Sequence, residues 1–221
     1  MRKRKSKTKD NLLTEDELVA LLNAINTFNE SLLVYGLGFT GMRVSEFIHL
    51  SREWVDWDRD LIVIPERQRC GCLSNGCQKP RYDRKGKVIK QPGYWMPKTK
   101  NAIRSIPIVP ELKPLLQKFF SKYSCVMELI PSRGMAYYII RDLGVRAGIP
   151  HPVFPHAIRG TFATLLASGS RPWRKNPAKR HVKPFTPFEI KDTLGWSKVQ
   201  TADDYIRLSA QMIKTTFEEK W

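Results

Sequence analysis

The apolar residues of "LLTEDELVALLNAI" fall at 18, 21, 22 and 25, the spacing of one helix face. Thr14 stands ahead of them as an N-cap candidate, with acids in the following turn. This pattern predicts a helix, followed by a second over roughly 30–39 and a third opened by "GMRVSEFIHL", with Arg43 near its start. "WVDWDRDLIVI" then alternates and is rich in β-branched and aromatic residues, so it reads as strand, turn, strand. Residues 66–93 combine Gly, Pro, Cys and Lys/Arg with little periodicity and read as an insertion. "GYWMPKTKNAIRSIPIV" returns to strand character, with a turn near Lys100–Asn101. After Pro110 helical spacing recurs over about 110–122, 134–147, 156–168, 186–194 and 200–220. The expected fold is α+β: a mainly helical domain with one small antiparallel sheet. Gly36, Gly38 and Gly41 lie in "SLLVYGLGFTGMRVSEF", where they read as close packing and a turn between two helices.

Composition narrows the class of partner. The 221 residues are 42% hydrophobic and 27% charged, enough for a sizeable core. The formal charge of +17 favours a polyanion, nucleic acid first and an anionic membrane surface second. No run approaches the ~18–20 apolar residues of a spanning helix, and no membrane partner is expected. The basic start "MRKRKSKTKD" has no apolar stretch behind it, so a secretory signal is not expected. Four cysteines, at 70, 72, 77 and 125, are too few and too clustered for a disulfide scaffold. The expected location is cytoplasmic. Three stretches (2–9, 79–90 and 171–183) hold 18 of the 38 Lys and Arg residues. Such blocks are solvated loops or arms that meet phosphates.

"HAIRGTFATLLASGS" sets His156 and Arg159 three residues apart at the start of an apolar helix, so both point from one face near a helix N-terminus. Arg43 follows "TG" at another helix start, Lys98 stands at the turn-side end of a strand, Trp196 closes "DTLGW", and Tyr205 lies in "TADDYIRL". Singly, each has an ordinary packing or solvent-facing explanation. Together they describe phosphoryl transfer without a metal. Two guanidiniums clamp the non-bridging oxygens of a phosphodiester, a lysine protonates the leaving alkoxide, a histidine donates to phosphate or handles a proton, and a tyrosine attacks. A tyrosine pKa near ~10 makes nearby cations necessary.

These motifs, "TGMRVSE", "PKTKNAIRSIPI", "HAIRGTFAT", "LGW" and "DDYIRL" in this order, resemble the catalytic domain of the tyrosine recombinase (phage integrase) family, from about Leu12 to Ile213. The resemblance implies that Arg43 and Arg159 clamp phosphate, that Lys98 is the general acid with Lys100 as its competitor, and that His156 is the His of the His-x-x-Arg motif. It implies that Trp196 stands where histidine is usual, donating through its indole N–H, and that Tyr205 is the nucleophile. Glu46 matches an acidic residue that orders Arg43 or His156. The implied reaction cuts double-stranded DNA through a 3′-phosphotyrosine, rejoins it without metal, cofactor or ATP, and uses no small-molecule substrate. Exchange between duplexes implies a homotetramer on DNA. A mobile-element integrase is the leading expectation. A Xer-like dimer-resolving recombinase, a topoisomerase-like cutter and a DNA-binding regulator without cleavage are the alternatives.

Departures from the family pattern shape three further expectations. Residues 1–10 form a basic arm and 11–221 the catalytic domain, with no separate N-terminal core-binding domain. The arm substitutes for the missing clamp, or the chain is a fragment or minimal enzyme. Cys70, Cys72 and Cys77 form a C-x-C-x4-C cluster, and cysteines in this stretch resemble those of archaeal viral integrases. Three thiolates could bind zinc, but no fourth ligand is visible and the spacing is unusual, so the expectation is free thiols and no metal. "RPWRKNPAKRHVKPF" is longer than the family's usual link and reads as a DNA-contacting loop without an added helix. The tail residues Ile213, Phe217 and Trp221 share a helix face for packing on a neighbouring subunit or on the chain's own core.

Overall fold

The computed structural model of the chain describes residues 9–73 and 76–220, with the side chains of Lys9, Pro177 and 211–220 excepted. Most of the basic arm and the faces of Ile213, Phe217 and Trp221 therefore lie outside the described residues.

Helix α1 (Glu15–Asn23) starts where Thr14 accepts from the Glu17 N–H at 3.2 Å and the Glu17 carboxylate accepts from the Thr14 N–H at 2.9 Å. This reciprocal cap satisfies two N–H groups left over at a helix start. Thr27 and Glu30 repeat it on α2 (Phe28–Thr40). Helix α2 ends at Gly41, whose φ of 57° lies in the left-handed region that glycine adopts at no steric cost. The chain turns there, and Arg43 becomes the N-cap residue of α3 (Val44–Phe47). Only four residues are helical, fewer than "GMRVSEFIHL" suggests. Ile48 and Leu50 satisfy its apolar pattern by tertiary burial beyond the helix end.

Strands β1 (Val55–Asp56), β2 (Leu61–Ile64) and β7 (Arg104–Pro107) form an antiparallel sheet in the order β1-β2-β7. Ile62 and Ile64 face the core while Val63 faces out, as alternation requires. The connection from β2 to β7 holds two more ribbons: β3 (Gln68–Arg69) with β6 (Tyr94–Trp95), and β4 (Arg81–Tyr82) with β5 (Val88–Lys90). Three small sheets are thus present where the sequence pattern gives one, because strands of two or three residues display no period to read.

Helices α4 (Lys113–Phe120), α5 (Arg133–Arg146), α6 (Pro155–Ser168), α7 (Pro187–Leu194) and α8 (Gln200–Lys220) complete an α+β fold that is mainly helical. A large core gathers Leu21, Leu32, Phe47, Ile62, Phe119 and Ile140. A smaller one joins α6, α7 and α8 through Phe162, Ile190, Leu194, Ala202 and Tyr205. Helix α6 serves both, with Ile158 in the first and Phe162 in the second. Between α6 and α7 the basic loop holds a 3-10 turn at Pro177–Lys179 and no α-helix. Among the described residues, no helix is long and apolar enough to cross a membrane.

Candidate active site

Glu46 anchors the polar centre. It is 1% exposed and lies one turn after Arg43 on α3. Its carboxylate meets Arg43 Nη1 at 2.6 Å, Arg104 Nη2 at 3.3 Å and Arg159 Nη1 at 3.9 Å. It also accepts from the Arg43 backbone N–H at 2.9 Å. Burial alone pushes a carboxyl pKa up, but here Arg104, Arg159 and Arg43 outweigh it and hold Glu46 below its ordinary value. A buried anion among three guanidiniums fixes their positions and offsets their mutual repulsion.

Arg159, on the first turns of α6, is almost fully buried. Its Nη1 donates to the Gly41 carbonyl and its Nη2 to the Leu194 carbonyl, each at 2.5 Å. Both carbonyls sit at helix C-termini, of α2 and α7, where unpaired acceptors and the dipole favour a cation. Burial and the neighbouring Arg43 push the Arg159 pKa down to about 9, so the guanidinium stays charged at neutral pH. Arg43 Nη2 donates to the Gly195 carbonyl at 3.3 Å. The two arginines suggested by the sequence are therefore brought together.

Arg104 did not stand out in the sequence. It donates to the carbonyls of Thr193 at 2.8 Å and Ala102 at 2.9 Å, tying β7 to α7. A signal existed: Arg104 and Ile106 are two apart on one strand, and Ile106 is buried, so an arginine occupies a core-facing position.

Lys98 and His156 share a cleft with Arg43, Ser45, Arg133 and Tyr137. Lys98 lies in a bend between β6 and β7 rather than on a strand. Lys100 starts a 3-10 turn two residues on and is not among the lining residues. His156 stands at the second residue of α6 and opens to solvent. Desolvation in the cleft, reinforced by Arg159, Arg43 and Lys98, lowers its pKa from 6.5, so the ring is neutral at pH 7. Glu46 contacts Arg43 directly and reaches His156 only through its field. Arg133, at the start of α5, is a second cation of the cleft that no sequence motif marks.

Tyr205 comes from α8 of the same chain. Its ring stacks on Trp196 with centroids 5.1 Å apart, and the Arg159 guanidinium carbon lies 5.9 Å from the Trp196 ring centre. Its hydroxyl passes 3.4 Å from where a side chain at Gly160, the residue after Arg159, would begin. Burial raises the Tyr205 pKa, Asp204 adds to this and Arg159 opposes it. The cations do not by themselves ionise the phenol.

No protein-family model matches this sequence, and no curated protein matches it. Solved structures do match in fold. The XerA recombinase aligns with a TM-score of 0.61 at 22% identity, over 94% of this chain and 64% of that one. The Tn1549 transposon integrase, in complex with transposon right-end DNA, aligns with a TM-score of 0.59 at 17% identity, over 91% and 62%. The XerH recombinase, bound to a palindromic difH substrate, aligns with a TM-score of 0.56 at 16% identity, over 93% and 52%. The chain thus has the fold of tyrosine recombinases and spans about 64% of the length of the first of these structures.

Proposed function

We propose that this chain is a site-specific DNA recombinase that breaks and rejoins strands through a 3′-phosphotyrosine on Tyr205. The observation that carries this reading is the convergence of Arg43 and Arg159 on one buried carboxylate, with Tyr205 packed on the turn of α6 that carries Arg159 and with Lys98 and His156 in the cleft beside Arg43. The Tn1549 integrase and XerH, whose fold it shares, are seen with DNA, and double-stranded DNA is the partner proposed here.

In this account Arg43 and Arg159 hold the non-bridging oxygens of the scissile phosphate and stabilise the charge of the transition state. The Tyr205 oxygen bonds to phosphorus as the bond to the 5′ oxygen breaks. Lys98 gives its proton to that oxygen, releasing a 5′-hydroxyl. The tyrosine proton passes to neutral His156. Trp196 donates its N–H to a phosphate oxygen and walls the nucleophile. A second 5′-hydroxyl then attacks the adduct and frees Tyr205. The ester conserves the bond energy, so no ATP is consumed. Exchange between two duplexes takes four protomers, and residues 11–221 form the catalytic domain.

A DNA-binding regulator without cleavage is the second reading, favoured by one observation: Tyr205 is only 8% exposed and covered by Trp196. Covalent trapping separates the two. Nicked duplexes with a randomised centre are incubated with the chain, denatured in SDS, and the protein-linked DNA is sequenced. The recombinase reading predicts an adduct enriched in one sequence. Tight DNA binding with no adduct would favour the regulator.

A further inference from the structure

The insertion between β2 and β7 closes on a residue from elsewhere in the chain. His49 lies just after α3, and its ring nitrogen Nε2 is 3.3 Å from Cys77 Sγ and 3.6 Å from Cys72 Sγ. With Cys70, the four ligand atoms all lie within 4.8 Å of one another. We propose that Cys70, Cys72, Cys77 and His49 bind a structural zinc ion.

The geometry suits that ion. Zinc takes thiolate sulfur at ~2.3 Å and imidazole nitrogen at ~2.0 Å, which puts tetrahedral ligand atoms ~3.5–3.8 Å apart. The two His49–Cys separations already stand near that value, and none of the remaining ones exceeds 4.8 Å. Three soft thiolates and one imidazole in a closed tetrahedron fit zinc better than magnesium or calcium, which prefer oxygen.

The tautomer of His49 suits it too. His49 Nδ1 lies 2.7 Å from the Ser45 carbonyl oxygen. A carbonyl accepts and never donates, so Nδ1 carries the proton and Nε2 turns its lone pair to the cysteines. A metal-bound histidine is usually oriented this way by the bond on its other nitrogen.

Zinc with three thiolates and a neutral imidazole carries one net negative charge. Lys90 is buried, and its ammonium donates to the carbonyls of Cys77 at 2.9 Å, Gly76 at 3.1 Å and Tyr94 at 3.3 Å. No carboxylate pairs with it among the described residues, and a buried cation without a counter-charge is costly. The zinc–thiolate group supplies that counter-charge. The Cys72 N–H points at Cys70 Sγ at 3.5 Å, as backbone donors do toward ligating sulfur. Trp95 stacks on His49 with centroids 5.5 Å apart, and Trp54 backs Trp95 at 5.0 Å, forming an apolar wall on one side of the cluster.

The site would fasten β3 and β6 to the segment that follows α3. Lys98 lies three residues beyond Trp95 on β6, while Arg43 caps α3 and Glu46 lies on it. On the recombinase reading, the metal positions Lys98 relative to Arg43. The metal site itself does not depend on that reading.

The test is metal content of the full chain, made without chelators or a polyhistidine tag. The expected result is about one zinc per chain by elemental analysis. Replacement by cobalt(II) should give thiolate-to-metal charge-transfer absorption and the intense visible bands of a tetrahedral site. Under competition from a chelator, Cys72→Ser and His49→Ala should lose zinc at least ~10-fold more readily than the parent chain, while Cys125→Ser retains it. Less than ~0.2 zinc per chain after growth with zinc, iron in its place, or cobalt spectra without thiolate bands would overturn the proposal. Because the readout on the parent chain is composition and not activity, a failure of strand cleavage would leave this result standing.

Discussion

The indole of Trp196 lies against the ring of Tyr205, with centroids 5.1 Å apart and planes 19° from parallel. Together with the Arg159 guanidinium over its ring, this makes Trp196 both a wall for the proposed nucleophile and a candidate phosphate donor. The two roles separate by substitution. Trp196→Phe keeps a stacking ring and removes the N–H, so single-turnover cleavage should fall ~10²-fold, the worth of one transition-state donor, with stability little changed. Trp196→Ala removes both and should additionally lower unfolding free energy by about 1 kcal/mol. Equal cleavage by Trp196→Phe and the parent chain would assign Trp196 to packing alone.

Glu46 makes the fold sensitive to acid. Its pKa is lowered in the folded chain from an ordinary 4.5, so its contribution is complete above that value and is lost as pH falls through the lower folded one. Glu46→Gln leaves three guanidiniums without their anion and should cost ~3–5 kcal/mol at pH 7. The difference from the parent should shrink at pH 3. Urea melts at both pH values check this, and a constant difference would contradict it.

Packing behind α3 carries its own prediction. A side-chain carbon at Gly36 would sit 2.1 Å from the Phe47 ring. Gly36→Ala should therefore destabilise by ~1–3 kcal/mol through overpacking. Phe47→Leu vacates the space, so the double variant should be more stable than the sum of the two single effects. Strict additivity in denaturant titrations would show that the glycine serves another purpose.

Lys98 is the proposed general acid, and it lines the cleft with Arg43 and His156. Lys98→Ala should slow cleavage ~10²–10⁴-fold. A duplex with sulfur in place of the bridging 5′ oxygen should restore the rate, because a thiolate with pKa near ~8.5 leaves without a proton. Lys100→Ala should cleave both substrates like the parent. Sulfur rescue of Lys100→Ala instead would move the role to Lys100.

Much of this was legible in the sequence because it is local. Thr14 followed by Glu17 announces its own helix start, and the periods of α5 and α6 are long enough to read. His156 and Arg159 share a helix face by spacing alone. What was not legible depends on contacts across the chain. Arg104 and Glu46 are 58 residues apart, and their pairing is set by the tertiary fold. His49 and Cys77 are 28 apart, and they meet only through the folding back of the insertion, whose strands are too short to show a pattern. Arg133 reads as one helix-start cation among many until α5 faces the cleft. The depth of Tyr205 is likewise a property of how α8 lies on α6 and α7, not of "DDYIRL".

Digestion of the trapped protein–DNA adduct, followed by mass spectrometry of the modified peptide, locates the attacking residue. The expected product is a nucleotide 3′-phosphate esterified to Tyr205, with no adduct from Tyr205→Phe despite unchanged DNA binding. An adduct on another residue, or one that persists in Tyr205→Phe, would contradict the proposed role of Tyr205.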